Sequence, residues 1–370
     1  MKIALTYDWL TNIGGAERVL FALHEAYPDA PIFVSAFEPT SLLYMFNNLD
    51  VRTTYIQKLP KPIRRRHQLL PVVRAHSFRQ IDLKDYDVVI SSASAEAKAV
   101  RVRKDAVHIC YCHTPTRYYW SHYEEYRRNP GFGNLDPFIR PLIPPFVKWM
   151  RHLDMRSVQG VDYFIANSHA VQKRIKKYYH RDSTVIFPPV DIRRFKPERP
   201  VKKGDYYLVS GRQNTYKRFD IAIEACNRLG RRLIVVGDGT EHEKLVKIAG
   251  PTIEFVVGPD DQEITKYFQG AKALLWPQVE DFGIVLVEAL AAGTPVIAYE
   301  KDGALDTMID GVTGLFFKEQ TVSSLCKAIK KFETMSFSAA KLQKQAEKFS
   351  EEQFQKNIHK FVASHRKKPA

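Results

Sequence analysis

Residues 276–298 read WPQVEDFGIVLVEALAAGTPVIA. An apolar run, Ala273–Trp276, enters a polar loop, Gly283 permits a tight turn, and a helical pattern starts near Ile284. A second apolar run, Pro295–Ala298, follows. This is the strand–helix–strand rhythm of a parallel sheet covered by helices. Glu280 falls in the loop and Glu288 about one turn inside the helix. A helix N-terminus offers free N–H groups to a phosphate, and carboxylates on either side of it accept hydrogen bonds from hydroxyls. Sugar hydroxyls, diphosphate and ribose hydroxyls follow in that order along a sugar nucleotide. A lone pair of Glu residues at this spacing would be a solvated helix face. The strand, the glycine and the helix around the pair make it a candidate site.

The same rhythm runs outward through the chain. Strand-like runs are Lys2–Tyr7, Ile32–Ala36, Val88–Ser91, Val107–Tyr111, Tyr163–Ala166 and Val185–Phe187, then Tyr206–Val209, Leu233–Val236 and Ile253–Val256. Most are continuously apolar, as parallel strands buried on both faces are. Pro188-Pro189 continues neither a helix nor a central strand, and a polar, basic stretch follows to Gly204. The linker is placed at about 188–204, which gives domains 1–188 and 189–349 and a terminal helix within 350–370. In that helix Ser350 suits the N-cap, Glu351 and Glu352 the first turn, and Phe354, Ile358 and Phe361 one apolar face. The fold class is α/β, with two doubly wound domains and a ligand cleft at the carboxyl ends of their strands.

Composition narrows the function. With 370 residues, 45% apolar and 26% charged, the chain suits two globular domains. No apolar run is long enough for a membrane span. Asp8 interrupts the N-terminal apolar run, so no signal peptide is expected. Four scattered cysteines do not make a disulfide framework, and a reduced cytosolic chain is expected. Cys110 and Cys112 read as alternate positions on a buried strand, not as metal ligands. A net charge of +15 implies an anionic partner of some kind.

Further motifs sit after strands. Gly14-Gly15-Ala16-Glu17 opens a helix after the first strand, where the backbone can approach an anion. Its spacing is not that of a dinucleotide fingerprint, and a plain glycine turn would read the same. Gly211-Arg212 with Lys217 follows the first strand of the second half, where a guanidinium fork and an ammonium could neutralise a diphosphate. A solvated basic loop is the alternative. His113 lies just past the strand Val107–Tyr111 and is placed towards the cleft, unless it is a packed or surface histidine. Gly237-Asp238-Gly239 is a strand-to-helix turn, and Asn167-Ser168 reads as a helix cap.

At these residues the chain resembles the retaining glycosyltransferases of family 4, which have the GT-B fold of two facing Rossmann-like domains. Glu280–Ala298 matches the family's E-x-F-G…E-A-x-A-x-G-x-P-V signature with its spacing to Glu288. Gly14-Gly15-x-Glu17, Pro188-Pro189-Val190-Asp191, Gly211-Arg212 with Lys217, and Gly237-x-Gly239 fall in the family's order. Tyr111–Tyr118 resembles the mannosyltransferases of bacterial surface polysaccharides. The chain differs from the common pattern at Gly303-Ala304-Leu305-Asp306.

The resemblance implies an acceptor-binding first domain, a nucleotide-sugar-binding second domain, and a last helix that crosses back to the first. It implies that Arg212 and Lys217 hold the donor diphosphate. Glu280 would hold donor-sugar hydroxyls, placed by Phe282 and Gly283. The helix start at Ile284 and Val285 would meet phosphate, and Glu288 would accept from ribose. His113 would approach the sugar, and Gly14, Gly15 and Gly237 would line the donor site. Catalytic roles fall to His113, Glu280, Arg212 and Lys217. The expected donor is GDP-mannose, with no obligate metal or other cofactor. The alternatives are a UDP-sugar donor and a sugar-nucleotide epimerase on the same fold.

The partner class follows from charge. Lys58–Gln80 holds seven Lys/Arg and no acid, interleaved with Leu59, Ile63, Leu69, Leu70 and Phe78. Phe138–Met150 has the same aromatic and basic character. Both suit an anionic membrane surface and a polyprenyl-diphosphate-linked or glycan acceptor, hence a cytoplasmic protein peripheral to the inner face of the cell membrane. An ordinary solvated face is the alternative. No nucleic-acid module is recognised, so nucleic acid is not expected as a partner.

Overall fold

The computed structural model describes residues 1–11, 14–39, 45–65, 70–128, 133 and 136–366. The chain divides into two compact units, Met1–Phe187 with Phe354–Ala370, and Pro188–Gln353.

The first unit is built on a parallel sheet of β1 (Ile3–Tyr7), β2 (Ile32–Val34), β3 (Val51–Thr53), β4 (Val88–Ala93), β5 (Val107–Cys112), β6 (Tyr163–Ala166) and β7 (Ser183–Val185), in the order β3-β2-β1-β4-β5-β6-β7. Alternation divides the strands between two cores. Leu5, Ile32, Ile90, Ile109 and Tyr111 face one, and Ala4, Val89, Cys110 and Cys112 face the other. Strands buried on both faces have no polar side to show, which is why the sequence reads as apolar runs. Cys110 and Cys112 are free thiols inside the second core.

The terminal helix, Glu351–His365, belongs to this unit from Phe354 onward. The Gln353 N–H donates to Ser350 Oγ at 3.2 Å, the cap anticipated from the sequence. Phe354, Ile358, Phe361 and Val362 form a single stripe and enter the first core, with Phe354 edge-on to Tyr111 at 5.8 Å.

The second unit has β8 (Tyr207–Ser210), β9 (Leu233–Val236), β10 (Ile253–Val256), β11 (Ala273–Trp276), β12 (Val296–Tyr299) and β13 (Gly314–Phe317), all parallel, in the order β10-β9-β8-β11-β12-β13. In each unit the order of strand addition reverses once, at β1/β4 and at β8/β11. Loops at such a reversal diverge to opposite faces and leave a crevice at the strand ends.

Several boundaries differ from the sequence reading. β3 and β13 were not anticipated. β3 is short and half-exposed, and β13 opens on Gly314 and leaves only Leu315–Phe317 as an apolar run. The strand read at 185–187 lies instead at Ser183–Val185, where pairing with β6 fixes it. The strand read at 32–36 ends at Val34. The proposed linker is structured. Asp191 caps a helical turn, Ile192–Phe195, by accepting from the Arg194 N–H at 3.2 Å. Phe195 is buried edge-on against Phe268 at 5.2 Å. One apolar residue in a basic stretch leaves no periodic trace, so its anchoring role was hidden.

Candidate active site

In the second unit the site is assembled at the β8/β11 reversal. After β8 the chain turns through Gly211–Arg218 into the helix Phe219–Leu229. Gln213 is fully buried and ties this turn to the loop after β9. Its backbone N–H donates to the Asp238 carbonyl at 2.8 Å, and its Nε2 donates to the Gly237 carbonyl at 2.6 Å. Gly237 has φ +121°, and a Cβ there would overlap the Gly211 carbonyl. The two loops therefore lie backbone against backbone, which only glycine allows.

Arg212 is exposed, whereas Lys217 is drawn in. Lys217 Nζ lies 2.8 Å from Glu280 Oε1 and 5.9 Å from the ring centroids of Trp276 and Tyr216. Gln278 Nε2 donates to the same Oε1 at 3.2 Å. Gly283, at φ +86°, caps the helix Ile284–Ala291, a backbone conformation that side chains rarely adopt. The first N–H groups of that helix have no intrahelical acceptor. Phe282 is buried edge-on against Phe349 at 5.4 Å and fixes the loop between Glu280 and the helix. Glu288 is half-buried on the second turn. Lys217, Glu280, Gly283 and the helix start are thus brought to one end of the sheet, beside Gly211 and Gly237. The set combines a cation and helix-start N–H groups for an anion with a carboxylate for hydroxyls. Its parts come from loops far apart in sequence, so only the spacing within each loop was legible beforehand. Gln213 and Gln278 gave no motif signal.

In the first unit, the strand ends carry ionised groups that are already paired. Asp8, seen in the sequence only as an interruption, is buried and accepts the N–H groups of Ser94 (2.7 Å), Ala95 (2.9 Å) and Ala97 (2.8 Å). An acid closing an apolar first strand was the signal that could have marked it. Gly14 caps the helix Gly15–Ala26, and both glycines are exposed. Glu17 points inward and accepts from the Tyr7 hydroxyl at 2.8 Å. Burial raises both groups above their ordinary pKa. Glu96 accepts from Arg74 at 2.7 Å and from the Tyr119 hydroxyl at 3.2 Å. Lys98 pairs with Asp154 at 2.7 Å, and Trp120 Nε1 donates to the same carboxylate at 2.8 Å.

His113 lies just past β5, buried, with Nε2 2.8 Å from Ser92 Oγ and the ring edge-on to Tyr111 at 5.4 Å. His108 is buried inside β5, with Nδ1 3.0 Å from the Gly160 carbonyl and Nε2 2.9 Å from Ser91 Oγ. Desolvation lowers its pKa to about 4. Gly14, Gly15 and His113 belong to the first unit. Arg212, Lys217, Gly237, Glu280, Phe282, Gly283, Ile284, Val285 and Glu288 belong to the second. Among the described residues, no three His, Cys, Asp or Glu side chains gather as metal ligands.

The chain is similar to known proteins. Residues 13–194 match the family described as Glycosyltransferase Family 4, and residues 191–349 match Glycosyl transferases group 1. A D-inositol 3-phosphate glycosyltransferase of Frankia alni is 31% identical over 160 residues, which cover 35% of this chain and 39% of that protein. An alpha-1,3/1,6-mannosyltransferase of Homo sapiens is 26% identical over 270 residues, covering 61% and 64%. The chain thus spans about two fifths of the first relative and somewhat under two thirds of the second. Among solved structures, Anabaena HepE in complex with UDP superposes with a TM-score of 0.69 at 18% identity, over 98% of this chain and 100% of that one. The lipopolysaccharide outer core galactosyltransferase WaaB gives 0.67 at 17% identity, over 98% and 99%. Those likenesses are of fold.

Proposed function

The chain belongs to the family 4 glycosyltransferases with the GT-B fold, and from that premise we propose that it transfers a hexose, with retention, from a sugar nucleotide to an acceptor hydroxyl. The observation that carries this reading is the meeting of Lys217, Glu280 and the helix start at Ile284 on the β8/β11 reversal. Arg212, Lys217 and the helix N-terminus hold the diphosphate. Glu280 takes donor-sugar hydroxyls and Glu288 the ribose.

In the reaction the bond from the anomeric carbon to the phosphate oxygen breaks. A bond from that carbon to the acceptor oxygen forms on the same face, and the acceptor proton passes to the leaving diphosphate. Negative charge grows on the phosphate as the sugar becomes oxocarbenium-like. Donors fixed in advance on that charge stabilise the transition state, and removing one typically costs about 3 kcal/mol. Trapping a covalent glycosyl-enzyme would overturn this same-face route.

The donor is assigned as GDP-mannose and the acceptor as a lipid-linked or oligosaccharide hydroxyl in surface polysaccharide synthesis, on the mannosyltransferase-like Tyr111–Tyr118 run and the human relative. A second donor reading, a UDP-sugar, is favoured by Anabaena HepE, solved with UDP and with UDP-glucose. A lipid-linked acceptor places the enzyme on the inner membrane face. Among the described residues no helix is long and apolar enough to cross a membrane. Part of the basic stretch 58–80 is taken into the fold, while Lys58, Lys61 and Ile63 stay exposed. Arg74 is buried on Glu96, Arg64 pairs with Glu38 at 2.9 Å, and Phe78 is buried, while Arg66 and Leu69 lie outside the described residues. The second surface proposed for membrane contact is the more apolar: Phe138 is 75% exposed and Leu142 65%, with Phe146 and Trp149 also exposed beside Arg140 and Lys148.

A thermal-shift panel of nucleotides and sugar nucleotides tests the reading. GDP-mannose at about 100 times its Kd should stabilise the protein by about 2.7 kcal/mol, and Arg212→Ala and Glu288→Ala should remove the shift. A larger shift from a UDP-sugar would replace the donor. No shift from any sugar nucleotide would end the enzymatic reading.

A further inference from the structure

Glu280 Oε1 has two partners of different kinds. One is Lys217 Nζ at 2.8 Å, a cation on a loop that the donor diphosphate would meet. The other is Gln278 Nε2 at 3.2 Å, on a side chain that is fully buried. The Gln278 Oε1 atom is also buried and has no hydrogen-bond partner. Turning the amide over would set its oxygen against the carboxylate, so the hydrogen bond fixes its orientation. A buried polar atom left unpaired is costly, and an apolar side chain of the same shape would avoid that cost. What the amide adds at this position is its bond to Glu280.

The two bonds have different fates when a donor arrives. A diphosphate carries more charge than one carboxylate and draws the ammonium towards itself. Glu280, whose side chain is 23% exposed, then loses its cation just when it must face the sugar hydroxyls. Gln278 cannot follow Lys217. It sits two residues past β11, and the preceding Pro277 carbonyl accepts from Gln320 Nε2 at 2.8 Å. We propose that Gln278 is a positioning residue: its buried amide holds the Glu280 carboxylate towards the donor sugar once the diphosphate has taken Lys217. This rests on the assignment of Lys217 to diphosphate and Glu280 to sugar made above.

The test compares each sugar nucleotide with its own nucleoside diphosphate. Dissociation constants for GDP, GDP-mannose, UDP and UDP-glucose are measured by calorimetry on the wild type, Gln278→Met and Gln278→Glu. Gln278→Met keeps the length of the side chain and removes the donor. It should leave diphosphate affinity within about twofold and cut the advantage of sugar nucleotide over diphosphate about tenfold, the worth of one hydrogen bond to a charged group. Gln278→Glu adds a pH signature. Its protonated carboxyl donates to Glu280 and its ionised form repels it, so the sugar advantage should return as pH falls from 8 to 5. An amide that merely packed the loop would change diphosphate and sugar-nucleotide affinity together with pH and leave their ratio flat. Equal loss for diphosphate and sugar nucleotide, or an unchanged advantage in Gln278→Met, would overturn the proposal. If Gln278→Met does not fold, an advantage in Gln278→Glu that is flat with pH would do so instead. If the wild type binds none of the four ligands, the donor reading fails first and the proposal falls with it.

Discussion

At the carboxyl ends of β1 and β4 the ionised side chains are buried and matched, Asp8 on three backbone N–H groups and Glu96 on Arg74. At the ends of β8 and β11, Arg212 is exposed, and the Lys217–Glu280 pair is less deeply buried, with Glu280 23% exposed. Both units use a reversal of strand order to make a crevice. The first has spent its charges on fixing the shape of its loops. The second keeps its charges within reach of a ligand and relies on glycine contacts and Gln213 for shape. Charge at a strand end is therefore no guide to ligand binding until burial and partners are known.

The largest effect that tests this contrast is on Arg74. Arg74→Met takes from buried Glu96 its ion-pair partner, leaving the Tyr119 hydroxyl hydrogen bond, and unfolding free energy in urea should drop by about 3–5 kcal/mol. The loss should shrink on acidification, since burial already raises the Glu96 pKa and a protonated carboxyl needs no cation. Nucleotide affinity should be unchanged where the protein remains folded. Lys217→Met should do the reverse. Turnover with saturating donor should fall by about 10²–10³, while stability falls by less than in Arg74→Met, because the Lys217–Glu280 pair is less deeply buried (10% and 23% exposed) than Arg74–Glu96 (1% and 7%). If Arg74→Met weakens nucleotide binding, or Lys217→Met unfolds the protein, the division between framework and site is wrong.

A smaller effect sharpens the same contrast through pH. His108 is satisfied as a neutral ring, its Nδ1–H donating to Gly160 and Nε2 accepting from Ser91. The unfolded chain takes up a proton at the ordinary histidine pKa of about 6.5, whereas the folded one resists until about 4. The unfolded state binds more protons in that window, so stability is full above about 6.5 and declines as pH falls through 4. The decline amounts to about 3 kcal/mol at most. Denaturation midpoints at pH 7 and pH 5 should differ less in His108→Gln than in the wild type.

The parallel sheets were legible in the sequence because strands buried on both faces leave apolar runs, unbroken in Leu233–Val236 and Ala273–Trp276. The half-exposed β3 left none. The loop carrying Glu280 was legible because its chemistry is local. A glycine, a helix start and two carboxylates lie within a few turns of chain. Arg74 shows the opposite case. In the sequence it stood in a basic run suggestive of a membrane surface, and only folding brings Glu96 to it. Glu17, grouped with the glycines before it, is a clamp on Tyr7. Burial and partnership arise between distant segments, and spacing within one segment carries no record of them.

The terminal helix has a consequence for cutting the chain. A protease that nicks the stretch near Lys202 leaves a long carboxyl-terminal fragment that still carries Phe354, Ile358, Phe361 and Val362. Those side chains fill the core beside Ile3, Leu5 and Tyr111 on the other fragment. The two pieces would stay together as a non-covalent complex. Equally, a chain split there and expressed as two halves has a ready means of reassembly, with the last helix as the plug and the first sheet as its socket.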